Sequence, residues 1–297
     1  MDRREYERQR APEFLFQRRP LNHRHAPDAA TAAFIRIAGT EPKHRLARRE
    51  ERIISRPEAP NLTITSDPNN SIVVAGGSGP DWALFFWAEG RGQPEAEADQ
   101  QLRQRSFNIS GSTVSLGGPN LYAPCNAHGE LVVEAPADAG VVVHGSYAAA
   151  EVRDMAGPVR IAATHARATV LDTSGQVDAT AGVVDFAGSS GLVTLSAESE
   201  INLKVTAREF NGTLLAWAQT CVRMLAPPEF ASSLEVMVTR RDDFVCRTDF
   251  ASSVECKRQG PLYVFTYGVN PDENPRAGLH LRSEQSTVVI DHLGGNL

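Results

Sequence analysis

The chain of 297 residues is poor in cysteine and in aromatic residues, and it has no long apolar run. Its four cysteines are too few and too widely spaced for a scaffold built on disulfides, and none belongs to a C-x-x-C pair for zinc or redox chemistry. No window of about 18 apolar residues occurs, so no membrane span is expected. The amino terminus is charged without an apolar stretch behind it, so as written it predicts no secretory signal and a cytoplasmic location. If the start site is misassigned, the cell surface is the alternative.

Two of the cysteines raise a question of pairing. Cys246 and Cys256 fall in neighbouring predicted strands with the same inward parity. A disulfide between them is therefore geometrically conceivable, and two buried free thiols are the alternative.

The net charge of −6 is unevenly distributed along the chain. Residues 1–60 carry 14 Arg or Lys against 9 Asp or Glu, whereas residues 61–297 carry 16 against 27. A basic arm therefore precedes an acidic body. We expect residues 1–46 to form a solvated, partly disordered tail; contact with an acidic partner or with the chain's own body is the alternative. The acidic body lacks the continuous positive face that a phosphate backbone rewards, so no nucleic acid is expected as a partner.

Short β-branched or aromatic runs separated by turn residues begin after Arg52 and predict hairpins and meanders. They are Ile53-Ile54, Leu62–Thr65, Ile72–Val74, Trp82–Trp87, Phe107–Ile109, Val114–Leu116 and Leu131–Pro136. One helix is predicted over Pro94–Gln104, because acidic residues come early in this segment and arginines late, as the helix dipole favours. Residues 47–140 are therefore expected to form a β-rich cap with one helix.

A small pattern of Gly, any residue, Val, any residue and an apolar residue then recurs. It appears as Gly157–Ile161, Gly175–Ala179 and Gly191–Leu195, at intervals of 18 and 16 residues. Each interval contains a second strand-like run, such as Gly182–Phe186. The pattern predicts an all-β fold with a short right-handed β-solenoid of two strands per 16–18 residue coil over residues 141–297, closed by further strands.

Strand alternation assigns the side chains of this repeat to two faces. The apolar pairs Val159 and Ile161, Val177 and Ala179, and Val193 and Leu195 are predicted to point inward. Arg160 and Asp178 are predicted to point outward and to lie side by side on adjacent coils. The recurring glycines are expected at corners that need a positive φ or a close backbone approach, within turns that begin at Asp154 and Asp172.

In their order along the chain these parts resemble a bacterial family of β-solenoid proteins known as putative adhesins, whose function is unassigned. The matching parts are the opening strands Leu62 to Val74, the helix Pro94 to Gln104, the strand Leu131 to Pro136 that ends in Ala-Pro, the coils Gly157 to Leu203 and the closing segment Leu281 to Asp291. The resemblance covers roughly residues 47 to 292 and implies a solenoid fold and surface adhesion.

Paired carboxylates are the first chemistry to look for, because β-helices include enzymes that cleave polysaccharides. Asp154 and Asp172 are predicted to stack at roughly 5 Å on adjacent coils, a separation that a retaining glycosidase uses. Their turn positions explain them without catalysis, and no aromatic residue lies beside them in the sequence to floor a sugar subsite. We therefore predict no catalytic residue.

The remaining candidate motifs also favour structural roles. The eight histidines show no H-E-x-x-H spacing; His23 and His25 fall in the tail, and His144 and His165 are predicted at surface or edge positions on strands. The loops Gly76–Gly79 and Gly188–Gly191 lack the flanking elements of a phosphate loop or a nucleophile elbow. The run Trp82–Trp87 alternates as a core-facing cap strand would, with an exposed binding patch as the alternative. No metal or cofactor is predicted.

These observations favour a non-catalytic, adhesin-like binding or scaffold protein whose partner is an unknown protein or glycan. A cytoplasmic protein that self-assembles through solenoid edges is the first alternative, and a carbohydrate-active β-helix enzyme is the second.

Overall fold

A computed structural model describes residues 44–118, 127–268, 278–285 and 287–293. Within these ranges the protein is an all-β chain with one α-helix and two short 3-10 helices. The strands are β1 His44–Ile54, β2 Asn61–Ser66, β3 Asn70–Gly77, β4 Trp82–Gly92, β5 Ser106–Ser110, β6 Thr113–Gly117, β7 Ala127–Pro136, β8 Gly140–Ser146, β9 Ala149–Arg153, β10 Val159–Leu171, β11 Gln176–Gly188, β12 Ser190–Val205, β13 Asn211–Ala218, β14 Cys221–Ala226, β15 Leu234–Val238, β16 Phe244–Cys246, β17 Glu255–Gln259, β18 Leu262–Tyr267, β19 Gly278–Ser283 and β20 Val288–His292. The 3-10 helices are Arg241–Asp243 and Asp249–Ser253. The tail was predicted over residues 1–46, but residues 44–46 belong to β1. Residues 1–43, with His23, His25 and a strand-like run at residues 33–37, and also Cys125, lie outside the described residues.

The helix α1, Glu95–Arg103, confirms the predicted segment. Pro94 precedes it in an extended conformation and Gln104 closes it. Glu95 and Glu97 occupy the first turn and Arg103 the last, as the helix dipole favours. Nine residues cannot cross a bilayer, and no helix within the described ranges is long and apolar enough to do so.

The strands belong to one large, open sheet in which two ladders can be followed. In ladder A the hydrogen-bonded order is β5, β6, β2, β8, β10, β11, β12, β13, β19, β15, β18 and β17. In ladder B it is β1, β4, β7, β3, β9, β10, β11, β12, β14, β20 and β16. The interior pairings of both ladders are parallel, and antiparallel strands occur only toward their ends.

Strands β10, β11 and β12 are long enough to contribute to both ladders. The register between β10 and β11 shifts after Ala163, and the register between β11 and β12 shifts after Ala181. Each strand bends at this shift, so its first half pairs in ladder A and its second half in ladder B. The sequence runs predicted as separate strands, such as Gly175–Ala179 and Gly182–Phe186, are therefore halves of one bent strand.

The predicted alternation of side chains is confirmed in these strands. The six side chains predicted to point inward are all 2% exposed or less, and they belong to one apolar cluster that extends from Ile54 to Ile290. On the outer face Arg160 lies opposite Asp178 in register, with Arg160 Nε 3.8 Å from Asp178 Oδ2. Both side chains are largely exposed, so the pair is a surface contact worth at most about 1 kcal/mol.

The order of the strands at both ends of the ladders departs from the order of the chain. Strands β2 and β3 come first among the parallel strands in sequence, yet they lie between β6/β7 and β8/β9. Strands β19 and β20 come last, yet they lie between β13/β14 and β15/β16. The first and last parallel segments of the chain are therefore held on both sides by neighbours, a feature that the sequence did not predict.

Strand β4 and helix α1 close the end of ladder B that carries β1. Trp82 is fully buried and its Nε1 donates to the carbonyl of Ala59 at 2.7 Å. A Cβ at Gly90 would lie 2.1 Å from the carbonyl oxygen of Ala98, so this glycine permits the helix to lie directly on the strand. The alternation of the Trp82–Trp87 run toward the core is confirmed, because Trp82, Leu84 and Phe86 are all buried.

A buried cation joins this end to the first parallel strands. Arg105 is 1% exposed, and its Nη1 donates to Asn70 Oδ1 at 2.7 Å. Burial lowers the pKa of Arg105 to about 10, against the opposing charge of Asp67. The guanidinium therefore stays charged at neutral pH, and the amide oxygen of Asn70 offsets part of its desolvation cost.

The glycines at the corners between ladder B and ladder A are required by close approach. A Cβ at Gly157 would lie 2.2 Å from the carbonyl oxygen of Ala139, and one at Gly175 would lie 2.4 Å from that of Ala156. The left-handed φ at these corners belongs instead to Asp154 and Asp172, at 56° and 49°. Aspartate tolerates this region better than most residues, which accounts for its recurrence here.

The prediction that Cys256 points inward is wrong. The prediction that Cys246 and Cys256 lie in neighbouring strands is also wrong, because their strands belong to different ladders. Strand β16 pairs with β20 in ladder B, whereas β17 pairs with β18 in ladder A. Cys246 is half-buried, Cys256 is exposed, and both thiols are free. Strand β17 begins at Glu255, after Val254 and the 3-10 helix that ends at Ser253.

Strand β20 offers a test of the interleaved strand order. Ile290→Ala should lower the free energy of unfolding by about 2–5 kcal/mol, because Ile290 is fully buried between strands on both sides. The matched control is Ile53→Ala, since Ile53 is 79% exposed and its loss should cost little. Urea denaturation measures both. Equal small effects would show that β20 is a frayed terminal strand.

The cysteines give a second test. We expect iodoacetamide at pH 8 without reductant to label Cys256 fastest, because it is exposed and free. Cys221 should be labelled more slowly, because burial raises the pKa of its thiol, an effect that hydrogen bonding to Arg223 only partly opposes. Peptide mass spectrometry over time separates the sites. Labelling of Cys256 only after reduction would reveal a disulfide.

Candidate functional site

The two aspartates considered as a catalytic pair lie at exposed turn positions. The Asp154 amide donates to the Leu171 carbonyl, and the Asp172 amide donates to the Ala187 carbonyl. Asp172 also acts electrostatically on Lys204. Burial lowers the pKa of Lys204, and the Asp172 carboxylate opposes this effect only in part. These contacts account for both residues as part of the corner between the ladders.

Three of the described histidines, His165, His280 and His292, each lie beside a single carboxylate. Nδ1 of His165 lies 2.7 Å from Oε2 of Glu198, and Nδ1 of His280 lies 3.2 Å from Oε1 of Glu235. The predicted exposure of His144 and His165 is confirmed. Across the described ranges, no group of three or more His, Cys, Asp or Glu side chains is placed to hold a metal ion.

A polar groove of about 530 Å³ crosses the outer face of ladder A near its β5 end, and we call it the hydroxyl groove. It crosses strands β6, β2 and β8 near their carboxyl ends and β10 in its first half. It is lined by Thr65, Ser66, Asp67, Ser106, Ser115, Leu116, Gly117, His144, Gly145, Ser146, Ala162 and Thr164. Half of these residues carry a hydroxyl group. The row Ser115, Thr65, His144 and Ala162 is in direct register across the four strands.

The hydroxyl groups of the groove differ in their bonding. Thr65 Oγ1 donates to Ser115 Oγ at 3.0 Å, which orders these two side chains. The side chains of Ser106, Ser146 and Thr164 make no hydrogen bond to any described residue of the protein. These three hydroxyls are therefore free to bond to water or to a ligand.

Small residues give the groove its floor. Gly145 lies in β8, in register with Ser66 and Ala163, and a Cβ added there would lie 2.9 Å from the Cβ of Ala148. A Cβ at Gly117 would lie 2.1 Å from Ser106 Oγ, so this glycine makes room for the hydroxyl. The absence of large side chains at these positions leaves a depression on an otherwise flat face.

Two aromatic rings stand at the corner one residue beyond the groove. Tyr147 follows Ser146, and His165 follows Thr164; their ring centroids are 5.0 Å apart. Tyr147 is 44% exposed. Both residues have a left-handed φ, 58° and 56°, which costs a residue other than glycine about 1–3 kcal/mol. A hydrogen bond between Nδ1 of His165 and Oε2 of Glu198 holds the His165 ring in place.

The outer face of ladder A also carries an apolar patch further along. Leu192 is 61% exposed and Leu215 is 44% exposed, on the neighbouring strands β12 and β13. Trp217 lies two residues beyond Leu215 on the same face, between Ser196 and Arg282 in register. Leucine at such positions does not contribute to the core, so this patch is a second surface feature of the same face.

The outer face of ladder B is more strongly bonded within itself. Asp185 is 1% exposed; it accepts a hydrogen bond from Arg167 and one from Asn202 Nδ2 at 2.9 Å. Glu200 pairs with Arg223 at 3.2 Å, and its charge opposes the effect of burial so that the pKa of Arg223 is raised. Because these polar groups satisfy one another, this face offers a ligand less than the hydroxyl groove does.

The sequence did not predict the hydroxyl groove. Its residues come from five strands between Thr65 and Thr164, so no local motif contains them. The predicted exposure of His144 was the one signal that pointed toward it.

Comparisons with known proteins add likenesses to solved structures. No known family model matches the chain, and no curated protein matches its sequence. The chain is similar to a putative cell adhesion protein from Clostridium sporogenes, with 7% identity and a TM-score of 0.33 over 83% of this chain and 99% of that one. It is similar to a putative adhesin from Bacteroides fragilis, with 8% identity and a TM-score of 0.34 over 86% and 100%. It is also similar to a putative adhesin from Parabacteroides merdae, with 9% identity and a TM-score of 0.27 over 61% of this chain and 89% of that one. Likenesses this low carry no argument about function.

Proposed function

We propose that this protein is a non-catalytic, adhesin-like binding module that contacts a protein or glycan partner through the outer face of ladder A. The observation that carries the proposal is the group of three free hydroxyls in the hydroxyl groove, those of Ser106, Ser146 and Thr164, on a face whose backbone groups are already paired. A rigid sheet whose side chains have unused donors and acceptors can bind a partner without losing backbone conformational entropy.

The proposal includes a right-handed β-solenoid with two strands per coil. Val159 pairs with Val177, 18 residues later, and Val177 pairs with Val193, 16 residues later, which supports a coil of the predicted length. The right hand follows from the usual handedness of connections between parallel strands. The division into a cap over residues 47–140 and a repeat region over residues 141–297 belongs to the same proposal.

End-to-end self-assembly is a second candidate function. Within the described residues, β1 and β5 at one end and β16 and β17 at the other pair on one side only. Unpaired strand edges are templates for association. Charged residues on β1 and the charged residues Glu255, Lys257 and Arg258 on β17 oppose it, because edge charges must be desolvated when strands pair.

The location of the protein separates the partner classes. Fractionation of the tagged native protein would place it at the cell surface, where glycans and adhesion partners are available, or in the cytoplasm, where an assembly partner is the better candidate.

The binding proposal predicts that the protein binds a partner without hydrolysing it. Incubated with a panel of polysaccharides and with intact bacterial cells, the purified protein should bind at least one of them and release no reducing ends. Asp154→Asn and Asp172→Asn should bind as the unaltered protein does, because both residues have turn roles. Hydrolysis that either substitution abolishes would instead establish a carbohydrate-active enzyme.

The assembly candidate makes a prediction about molecular mass. If copies join end to end through β1 and β17, salt should screen the charges that oppose this pairing, so light scattering after size exclusion should give more oligomer at high salt than at low salt. A charge reversal on β17, Lys257→Glu with Arg258→Glu, should shift that equilibrium, whereas Arg160→Glu on the middle of ladder A should not. A monomer at both salt concentrations would remove this candidate.

A further inference from the structure

We propose that the hydroxyl groove binds an uncharged, extended β-linked glycan. This inference rests on the proposed function and names the ligand class for the same face. It is carried by the bonding state of the groove's side chains, by their charge and by the spacing of the strands beneath them.

The polar groups of the groove suit the hydroxyls of a sugar. Ser106, Ser146 and Thr164 each offer one donor and two acceptor positions that no described residue of the protein uses. His144 is exposed in the same row and adds a ring nitrogen of either role. Sugar hydroxyls also donate and accept, so each contact can form in either direction.

The charge of the groove argues for a neutral ligand. No lysine or arginine lines it, so a phosphate, sulfate or uronate group would have no cation to pair with. Asp67 is the one carboxylate; its Oδ2 accepts from the Gly118 amide at 3.3 Å, and it would repel an anion. Leu116 and Ala162 are the only residues of the lining with purely apolar side chains, which disfavours a long lipid chain or a large hydrophobic side chain.

A peptide strand is disfavoured by the pairing of the backbone. Each of β6, β2, β8 and β10 is hydrogen-bonded to a neighbour on both sides. Addition of a strand needs a free edge, and the groove has none. A ligand there must bind through side chains alone.

The spacing of the strands suits an extended glycan. Neighbouring strands lie about 4.8 Å apart, so the row Ser115, Thr65, His144 and Ala162 presents one side chain per such step. This repeat is close to the length of one pyranose unit in an extended β-linked chain. Each sugar of a glycan laid across the strands would therefore lie over one strand of the ladder. The sugars of a coiled α-linked chain would not stay aligned with the strands.

Tyr147 supplies an aromatic ring beside this path, at the corner that follows β8. It stands beside His165 and is partly exposed. Its φ is left-handed, as is that of Asn69, whose amide donates to the Tyr147 carbonyl at the same corner. The fold therefore accepts an asparagine in this conformation and does not require a tyrosine. A sugar ring stacks its C–H face on an aromatic ring. Retention of a strained tyrosine here is explained by such a contact.

Calorimetric titration of the full chain with cellohexaose, maltohexaose and oligogalacturonate tests the inference. We expect cellohexaose to bind and the α-linked and anionic oligosaccharides to bind at least tenfold more weakly. Ser146→Ala combined with Thr164→Val should weaken cellohexaose binding roughly tenfold through two lost hydrogen bonds. Thr194→Val is the matched control, because Thr194 is exposed on the same ladder outside the groove, and it should leave the affinity within twofold.

Tyr147→Asn tests the aromatic contact separately, since asparagine tolerates the left-handed φ and removes the ring. It should weaken cellohexaose binding without lowering the thermal unfolding midpoint. No binding of cellohexaose, or equal losses from the double variant Ser146→Ala with Thr164→Val and from Thr194→Val, would overturn the inference. If the glycan inference fails but the protein binds another partner through Leu215 and Trp217, the proposed function of the ladder A face still stands. Cleavage of cellohexaose would overturn the proposed function itself.

Discussion

Parallel pairing in register is the constraint on which the rest of this structure depends. Because Val159 pairs with Val177, and Val177 with Val193, each buried side chain lies on an equivalent one in the next strand. A slip of one residue would turn every inward valine to solvent, so the apolar rows themselves fix the register. The close approach at Gly157 and Gly175 follows from the same stacking, since backbone carbonyls lie where a Cβ would stand.

The ends of the ladders show how such a stack is closed. A parallel strand at an end exposes a row of unpaired amides and carbonyls. This chain returns antiparallel strands to cover three of the four ladder ends: β4 and β1 on ladder B, and β5 and the pair β18 and β17 on ladder A. It places charged residues on β1 and β17. The fourth end is the short strand β16, which pairs parallel with β20. The segments that enter and leave the parallel region, β2/β3 and β19/β20, lie inside it, where neighbours on both sides oppose fraying.

The parts predicted from the sequence are those set by local pattern. Alternation assigned Val159, Ile161 and the Trp82–Trp87 run to the core, and residue type placed helix α1 within one residue of its ends. The interleaved strand order was not predicted, because pairing between β2 and β6 or between β15 and β19 depends on contacts distant in sequence. The position of Cys256 was wrong for a similar reason, since parity within a strand does not tell which faces of that strand are covered.

The candidate site follows from the same constraint in a different way. Register fixes the inward rows but leaves the outward rows free, so their side chains can change with little effect on stability. The hydroxyls of Ser146 and Thr164 are of this kind. The left-handed tyrosine at position 147 is different, because it costs about 1–3 kcal/mol where asparagine or glycine would cost less. Asn69, at the same row of corners, has a left-handed φ of 63°. Under the proposed function the costly tyrosine beside free hydroxyls contacts a ligand outside the protein, which is why the groove rather than the corner aspartates is the site to test.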